Sequence, residues 1–406
     1  MELSRQGARD LLLAAQGLTV PPRRAARKAD VLATIRAMGV LQIDTINVVA
    51  RSPYLVLWSR LGDFPLPWLE ALLSEHVLFE FWSHEACFLP IEDYPLYRRL
   101  MLDRRKGWRT SHEWLAEHAD VVAQVQAVVA AQGMARSADF ARVATEQSGW
   151  WNWKIEKQAL EHLFNVGDLM VAGRHNFHRL YATRATVLPD WDDADAPSYD
   201  EVRRQFALRT VRALGIALAR WVPDYYRTPK PGSAAYLHEL AVAGELVEAR
   251  ISGWDEPAYL HPDHLALAEA AQAGKLHSRV TTLLSPFDPI IWDRTRARDL
   301  FDFDYTIECY TPQPKRQYGY FSLGILHRGA LVGRLDPKAH RQAGIMEVKA
   351  LHFEPAVRLT DRLLRELAET LQRFAHWHAT PTVTIRWANV AGAAERLTEY
   401  LATGAP

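Results

Sequence analysis

The sequence predicts an α+β protein in which helical modules, each ending in a β-hairpin, precede a β-rich C-terminal domain. Two observations lead to this prediction. Up to about residue 279, groups of helix-spaced apolar residues are followed by pairs of strand-like segments. From about Val280 onward, apolar and polar residues alternate instead, as they do in half-buried strands. A length of 406 residues accommodates several units of this kind.

The clearest module covers residues 114–190. VVAQVQAVVAAQG has helical spacing and ends at Gly133, and SADFARVATEQ predicts a short helix with Ser137 as its N-cap. A third helix follows in SGWWNWKIEKQALEHLFNVGDL, which carries an apolar stripe. LMVAGRHNFHRLYAT then predicts two strands around a polar turn at Gly173 to Asn176. Three helices and a hairpin form the winged helix-turn-helix pattern, whose third helix and hairpin normally face nucleic acid.

Weaker copies of this pattern lie on both sides. Residues 1–113 contain three predicted helices and the strand-like segment HVLFEFWSHEACFLP, and residues 191–279 contain predicted helices, among them IALARWV, and a hairpin in VEARISGWDEPAYL. We therefore expect tandem winged helix-turn-helix modules at 1–113, 114–190 and 191–279. The β-rich domain at 280–406 is expected to contain strands in SPFDPIIWD, DYTIECY, YGYFSLGIL, ALVGRLD, GIMEVKALHFEP and TVTIRW, with one helix in RLTDRLLRELAETLQRFAHWH.

The composition is that of an ordinary globular protein, with 49% apolar and 24% charged residues. No apolar run is long enough to span a bilayer, and the N-terminal segment lacks the plan of a signal peptide. The two cysteines, Cys87 and Cys309, lie far apart in the sequence. This spacing excludes a disulfide framework or a cysteine-rich zinc site and fits a reducing cytoplasm.

The net charge gives no support to nucleic-acid binding. The 48 basic residues are balanced by 48 acidic ones, whereas nucleic-acid-binding proteins usually carry a basic excess. The basic residues are nevertheless grouped, in Pro21 to Lys28, in Tyr97 to Arg109, in Trp292 to Arg298 and at Lys315 and Arg316. Runs of this kind usually belong to a solvated surface, so the grouping permits a basic face and does not establish one.

The segment MGVLQIDTINVV contains the residues best suited to catalysis. Gly39 is positioned to end the preceding helix, and the residues after it alternate between apolar and polar. In an extended backbone, Gln42 and Asp44 point to one side, and the apolar residues that flank Gln42 point to the other. A carboxylate and an amide therefore project together from one short segment.

A structural role for the same residues is the alternative. Asp44 or Thr45 is able to cap a helix that starts near Ile46, and Gln42 is able to satisfy a buried backbone group. For an isolated glutamine-x-aspartate pair this alternative is the more common outcome, because motifs this short match by chance.

The longer segment LQIDTINVVARSPYLVLWSRLG resembles the signature of the YcaQ and AlkZ winged-helix DNA glycosylases, which unhook DNA interstrand crosslinks. The resemblance continues in order through FEFWSHEACFLP, KQALEHLFNVGDLMVAGRHNFHRLYA, LLSPFDPIIWDR and KRQYGYFSLGILHRGALVGRLDPKAHR, and so covers nearly the whole chain. In that family, two polar residues separated by one apolar residue are catalytic. One branch has two glutamines, and another has glutamine followed by aspartate, which Gln42, Ile43 and Asp44 match.

The resemblance implies a DNA glycosylase that hydrolyses the N-glycosidic bond of N7-alkylated purines in double-stranded DNA, including crosslinked purines. Because the motif contains no lysine to form a Schiff base, we expect hydrolysis without strand cleavage. We expect neither a cofactor nor a metal ion. We further expect a monomer that acts at the cytoplasmic nucleoid and does not bind membranes.

Four residues are predicted to contact DNA. Lys315 and Arg316 form a basic pair, and His327 and Arg328 stand at the tip of a predicted hairpin that turns at Gly329. Because arginine is attracted to the negative potential of a narrow minor groove, we expect this tip to enter a groove. In that position it would hold the duplex against the segment with the catalytic pair. An ordinary exposed turn is the alternative.

A non-enzymatic winged-helix transcriptional regulator is the competing function, because most proteins built on this fold bind DNA without chemistry. A regulator of this kind needs a palindromic site and dimer geometry. Three modules in one chain, a large β-rich domain and the pair of Gln42 and Asp44 fit an enzyme better.

Other candidate residues favour structural roles. His84 is expected to be packed and hydrogen-bonded, although it is able to face a substrate. His376 and His378 lie on different faces of a predicted helix, which disfavours a shared metal ion. The tryptophans between Gly149 and Trp153 are able to stack on bases, but tryptophans at the start of a helix usually belong to the core.

Overall fold

The computed structural model describes residues 1–104, 112–140 and 155–403. The first range contains β1 (Glu2–Leu3), α1 (Arg5–Ala15), α2 (Lys28–Met38), β2 (Leu41–Gln42), α3 (Ser52–Leu61), α4 (Pro67–Ser74), β3 (Leu78–Trp82), β4 (Ala86–Pro90) and α5 (Tyr94–Arg104). Between residues 112 and 190 lie α6 (His112–Glu117), α7 (Ala119–Gln132), α8 (Ile155–Asn165), β5 (Leu169–His175), β6 (His178–Thr183) and α9 (Arg184–Val187).

From residue 199 onward the elements alternate more often. They are α10 (Tyr199–Leu214), β7 (Ile216–Leu218), α11 (Val222–Tyr225), α12 (Ser233–Val242), β8 (Val247–Ile251), β9 (Ala258–Leu260), α13 (Leu265–Gln272), β10 (Thr281–Leu284), α14 (Arg294–Phe301), β11 (Leu323–His327), β12 (Ala330–His340), β13 (Ile345–Phe353), α15 (Asp361–Trp377), β14 (Thr382–Ile385) and α16 (Ala393–Thr403). The mixture of helices and strands confirms the α+β class. None of the helices in the described ranges is long and apolar enough to cross a membrane.

The chain divides into two compact units. The larger unit contains Met1–Pro65, Ser83–Glu85 and Phe206–Pro406, and the smaller unit contains Leu66–Trp82 and Ala86–Gln205. The tandem winged-helix arrangement, with boundaries at 113, 190 and 279, stays a prediction.

The smaller unit contains the segment with the clearest predicted module. As predicted, α7 ends at Gly133, which has a φ of +75°. The strands β5 and β6 form the predicted hairpin, but their turn lies at Asn176 and Phe177, which both have positive φ. Gly173 lies inside β5, where the pairing with β6 shifts register. Residues 137–139 form one turn of 3-10 helix that ends before residue 140, and residues 141–147 of that predicted helix, with residues 149–153, lie outside the described ranges.

The larger unit contains two sheets. A four-stranded sheet has the order β1-β8-β9-β7, and a five-stranded sheet has the order β10-β11-β12-β13-β14. The five-stranded sheet is antiparallel except for the parallel pair β13–β14. The predicted C-terminal helix is α15, which buries one face with Leu363, Leu364, Leu367, Leu371 and Phe374.

Three predicted elements of the larger unit are wrong. IALARWV, predicted as helix, forms β7 and the short α11, because residues 216–218 are fully buried and pair with β9. SPFDPIIWD, predicted as a strand, forms turns, since its two prolines cannot donate to a ladder and the Asp288 carboxylate accepts the Ile290 N–H at 3.0 Å. DYTIECY forms no strand, and its buried Tyr305 hydroxyl donates to the Ser322 carbonyl oxygen at 2.6 Å.

One buried ion pair connects three parts of the larger unit. Arg60 of α3 donates to both carboxylate oxygens of Asp288, at 2.5 and 3.0 Å, and the two side chains are 2% and 0% exposed. The same guanidinium donates to the carbonyl and amide oxygens of Gln16, both at 3.1 Å. The pair therefore connects α3, the turns after β10 and the end of α1.

Loss of Asp288 should destabilise the protein strongly. In Asp288→Ala the Arg60 charge stays buried without its partner, which typically costs about 3–5 kcal/mol. Glu256→Ala is the control, because Glu256 pairs with Arg220 in the same unit while both side chains are about 40% exposed. That control should cost less than about 1 kcal/mol. Urea unfolding measures the free energy of unfolding of both variants. Equal losses would show that the buried pair stabilises the protein no more than the exposed pair does.

Candidate active site

Gly39 determines how the chain enters the candidate site. Its φ of +73° ends α2, as predicted, and its N–H donates to the Ile35 carbonyl oxygen at 2.7 Å. A Cβ at this position would collide with the Tyr226 hydroxyl. Glycine is therefore required here for its backbone angle and for its small size, and the chain turns directly into β2.

Gln42 lies in β2 and is 6% exposed. Its neighbours Val40 and Leu41 are buried as well, so both sides of this strand are covered. Within the described ranges, the Oε1 atom of Gln42 is buried and has no hydrogen-bond partner. In the structural alternative, the Gln42 side chain bonds to a buried backbone group. Its Oε1 atom makes no such bond with the described residues.

Asp44 is half-buried and lies two residues beyond Gln42. Its Oδ1 atom accepts the N–H of Ile46 at 2.7 Å. Burial raises the pKa of the Asp44 carboxyl, and the hydrogen bond from Ile46 opposes that rise. Helix α3 begins at Ser52, so Asp44 makes a local turn and does not cap a helix near Ile46.

The five-stranded sheet holds the residues that follow Asp44. At the far end of β12, the Ala339 N–H donates to the Val48 carbonyl oxygen at 3.1 Å. Arg341, in the turn between β12 and β13, donates to the Val49 carbonyl oxygen at 2.6 Å and to Asn47 Oδ1 at 3.3 Å. These bonds fix the position of the segment relative to the sheet. Arg341 was not predicted to lie here, because no local pattern connects it to residue 49.

A loop from Glu308 to Tyr320, the tyrosine loop, also lies near Asp44. The Glu308 carboxylate accepts three successive backbone N–H groups, those of Gln317, Tyr318 and Gly319, at 2.7 to 3.0 Å. The negative charge of Asp44 contributes to raising the pKa of two groups in the loop. For the Cys309 thiol burial is the larger cause, and for the Tyr310 phenol the larger causes are Cys309 and burial.

Lys315 and Arg316 belong to the tyrosine loop. Lys315 is exposed, whereas Arg316 is half-buried and donates from Nε to the Thr311 carbonyl oxygen at 2.8 Å. The Arg316 guanidinium lies 4.9 Å from the centre of the Tyr320 ring. The predicted basic pair thus lies in the same loop as Cys309 and Tyr310, whose pKa values the charge of Asp44 helps to raise. Tyr310 and Tyr320 were not predicted as site residues, although they stand among the cations and aromatics of CYTPQPKRQYGY.

His327 and Arg328 lie elsewhere. Both pair with Glu366 of α15, at 3.4 and 3.2 Å, and His327 also contacts the Thr281 hydroxyl at 3.0 Å. The turn that contains them precedes β12, whereas the residues after Asp44 contact the other end of that strand. Eleven residues of strand span about 33 Å. The tip therefore does not contact Gln42 or Asp44 directly, and its predicted role of holding a duplex against their segment stays a prediction.

A cavity of about 1180 Å³ adjoins Arg328 and Glu366 and is also lined by Trp58, Arg279 and Arg373. None of its lining residues comes from the segment between Val40 and Arg51. Its volume alone therefore does not identify it as the active site.

The weaker candidates have structural roles. His84 is 5% exposed, stacks on Trp292 at 3.9 Å and donates from Nδ1 to the Asp224 carbonyl oxygen at 2.9 Å. Burial lowers its pKa to about 3, so it is neutral at ordinary pH. The prediction that His84 is packed and hydrogen-bonded is thereby confirmed.

His376 is exposed and His378, at the end of α15, is buried. The two side chains therefore lie on different faces. No group of three potential metal-ligating side chains occurs in the described ranges.

Comparison with known proteins identifies the family. A family model described as DNA glycosylase AlkZ-like matches residues 35–377, which is most of the chain. The chain belongs to the AlkZ-like DNA glycosylase family. The predicted family is thereby confirmed, and membership supports a DNA glycosylase that acts on DNA in repair.

A solved structure supports the same fold for this AlkZ-like protein. The Streptomyces sahachiroi DNA glycosylase AlkZ matches 95% of this chain and 100% of its own, with a TM-score of 0.60 and 15% sequence identity. At this identity the match shows a shared fold. Neither comparison supports the alternative of a non-enzymatic regulator.

The close fit at Gly39 predicts a specific loss of stability. Gly39→Ala should cost about 1–2 kcal/mol for the left-handed backbone and roughly 1–3 kcal/mol more for the collision with Tyr226. Gly17→Ala is the matched control, because Gly17 has a φ of +72° and no atom within 4 Å of an added Cβ. Thermal unfolding should show the larger loss for Gly39→Ala. Equal losses would mean that Tyr226 moves aside freely.

Proposed function

We propose that this AlkZ-like glycosylase hydrolyses the N-glycosidic bond of N7-alkylated purines in duplex DNA, including purines in interstrand crosslinks, with Gln42 and Asp44 as catalytic residues. The observation that supports this most directly is the unsatisfied, buried amide oxygen of Gln42 two residues from a half-buried carboxylate. A buried polar atom without a partner costs free energy, which the protein recovers when a ligand supplies the hydrogen bond.

The chemistry of the substrate determines what the two residues need to do. An N7-alkylated purine carries a positive charge, so its bond to the sugar is already weakened and the base departs neutral. No strong general acid is needed for the departing base. The remaining tasks are to stabilise the positive charge that develops on the sugar and to direct a water molecule at its anomeric carbon.

Asp44 is suited to both tasks as a carboxylate. One of its oxygens is held by the Ile46 N–H, which orients the group, and its charge stabilises the cationic transition state. The raised pKa makes it a better general base for the attacking water than an ordinary aspartate.

Gln42 is suited to positioning that water. An amide both donates and accepts, so its free Oε1 is able to accept a hydrogen bond from the water while the water's oxygen faces the sugar. The segment from Val40 to Arg51 contains no lysine, so we propose a monofunctional enzyme that leaves an uncut abasic strand.

The catalytic role of Asp44 predicts a loss of activity without a loss of fold. Asp44→Asn keeps an oxygen for the Ile46 N–H but removes the charge, so excision should fall by roughly a hundredfold or more. Duplexes with one N7-methylguanine or one nitrogen-mustard crosslink are incubated with enzyme, and abasic sites are counted after alkali. Melting temperature and duplex affinity should change little.

Asp192→Asn is the control for this variant, because Asp192 makes the same turn bond, accepting the Ala194 N–H at 2.9 Å, in the smaller unit. It should keep wild-type excision. If Asp44→Asn lowers the melting temperature and keeps the wild-type excision rate, Asp44 is a structural residue and the proposed mechanism is wrong.

The raised pKa of Asp44 predicts the pH dependence of excision. The carboxylate is the active form, so the rate should fall as pH decreases through that pKa, starting at a higher pH than for an ordinary aspartate. The single-turnover rate is measured across pH, after subtraction of the base loss that occurs without enzyme. Asp44→Asn should give a flat profile, and a wild-type-shaped fall in that variant would assign the titration to another group.

The basic pair of the tyrosine loop should supply contacts to phosphate groups. Charge reversal of Lys315 and Arg316 should weaken binding to any duplex and reduce the salt slope of log Kd by about 1 for each lost phosphate contact. Because Arg316 also supports the loop, Lys315→Glu is measured alone as well, and the exposed Lys275→Glu serves as the charge-matched control. An unchanged slope in the Lys315 variants would exclude Lys315 from the interface.

A further inference from the structure

Tyr310 is the most exposed large hydrophobic or aromatic side chain among the described residues, at 86% of its surface. Tyr320, in the same loop, is 36% exposed and has the Arg316 guanidinium over its ring. No cation or ring in the described ranges covers Tyr310. One tyrosine face in the loop is therefore already occupied by a cation, and the other is open.

The tyrosine loop is held in place from two sides. Glu308 binds the backbone at residues 317–319, and Gly319, with a φ of +127°, packs so closely on Asp336 that a Cβ would collide with that side chain. The Asp336 carboxylate also accepts the Phe321 N–H at 3.4 Å. Tyr310 is thus exposed on a loop whose two ends are joined by Glu308 and whose C-terminal end contacts β12.

The same strand places this loop beside the catalytic segment. Asp336, which contacts the loop, and Ala339, which bonds to Val48, are three residues apart on β12. That separation is about 10 Å along a strand. The electrostatic effect of Asp44 on the Cys309 and Tyr310 side chains agrees with this proximity.

We propose that the open ring face of Tyr310 binds the cationic purine while Asp44 acts on its bond to the sugar. This inference rests on the proposed function and adds the group that selects the charged base. The positive charge of an N7-alkylated purine is spread over its five-membered ring, and a phenol ring presents a negative face to it. A carboxylate and an aromatic face on one site favour a cationic base over a neutral base of equal shape.

Two duplex probes test the inference by binding alone. The first contains N7-methylguanine on a 2′-fluorinated sugar, which slows departure of the base, and the second contains 7-deaza-7-methylguanine, a neutral base of the same shape. The selectivity is the ratio of the two Kd values. Wild type should prefer the cationic base, and Tyr310→Ala should lose roughly three- to tenfold of that preference.

Conservative variants separate the ring face from the hydroxyl. Tyr310→Phe and Tyr310→Trp keep an aromatic face and should keep the selectivity. Tyr199→Ala removes a tyrosine that is 48% exposed in the smaller unit and should leave both Kd values unchanged. Circular dichroism confirms that each variant is folded.

The outcomes distinguish this inference from the proposed function. If wild type prefers the cationic base and Tyr310→Ala keeps that preference, or if Tyr310→Phe loses as much as Tyr310→Ala, the inference is wrong and the proposed function stands on its excision assay. If wild type shows neither preference nor excision, both are wrong. A preference that depends on Tyr310 in a protein that does not excise would support the inference and contradict the proposed function.

Discussion

Arg60 and Asp288 are opposite charges placed where water does not reach them, and the larger unit depends on their pairing. Burying either charge alone would cost several kcal/mol, so the structure is stable only when α3, the turns after β10 and the end of α1 meet at this point. Helix α3 follows the segment with Gln42 and Asp44, and β10 begins the sheet that contacts this segment. The pair thereby constrains both sides of the candidate site.

Strand β12 determines which predicted site residues lie close to one another. One end of the strand carries the turn with His327 and Arg328, whose charges Glu366 already balances. Toward the other end, the strand contacts the tyrosine loop through Asp336 and bonds to Val48, four residues after Asp44, through Ala339. The charge of Asp44 contributes to raising the pKa of Cys309 and Tyr310 in that loop.

The sequence predicted those features that depend on local chemistry. Gly39 ends α2 because the backbone there requires a left-handed angle, and the β5–β6 hairpin and α15 follow from periodicity. Gln42 and Asp44 were identified through their spacing and through family resemblance. The predicted position of the β5–β6 turn was wrong. Gly173 lies at a register shift within β5, and the turn is formed by Asn176 and Phe177.

Features that depend on contacts between distant residues were not predictable. The sequence identified a hairpin at Gly329, but only the pairing of the strands shows that the turn at Arg341, near the other end of β12, contacts the residues after Asp44. The role of Glu308 in holding residues 317–319 has no local signature either. IALARWV is short and apolar throughout, so its periodicity does not distinguish a buried strand from a helix.

The proposal on which the rest depends is that this protein hydrolyses the bond between a cationic purine and its sugar and leaves the strand uncut. Mass spectrometry of both products, after a single turnover on a duplex with one N7-methylguanine, tests it most directly. We expect free N7-methylguanine and an equal amount of full-length strand with an abasic site. Retention of the methylated base in the strand, or its release together with a strand cut at the lesion, would contradict it.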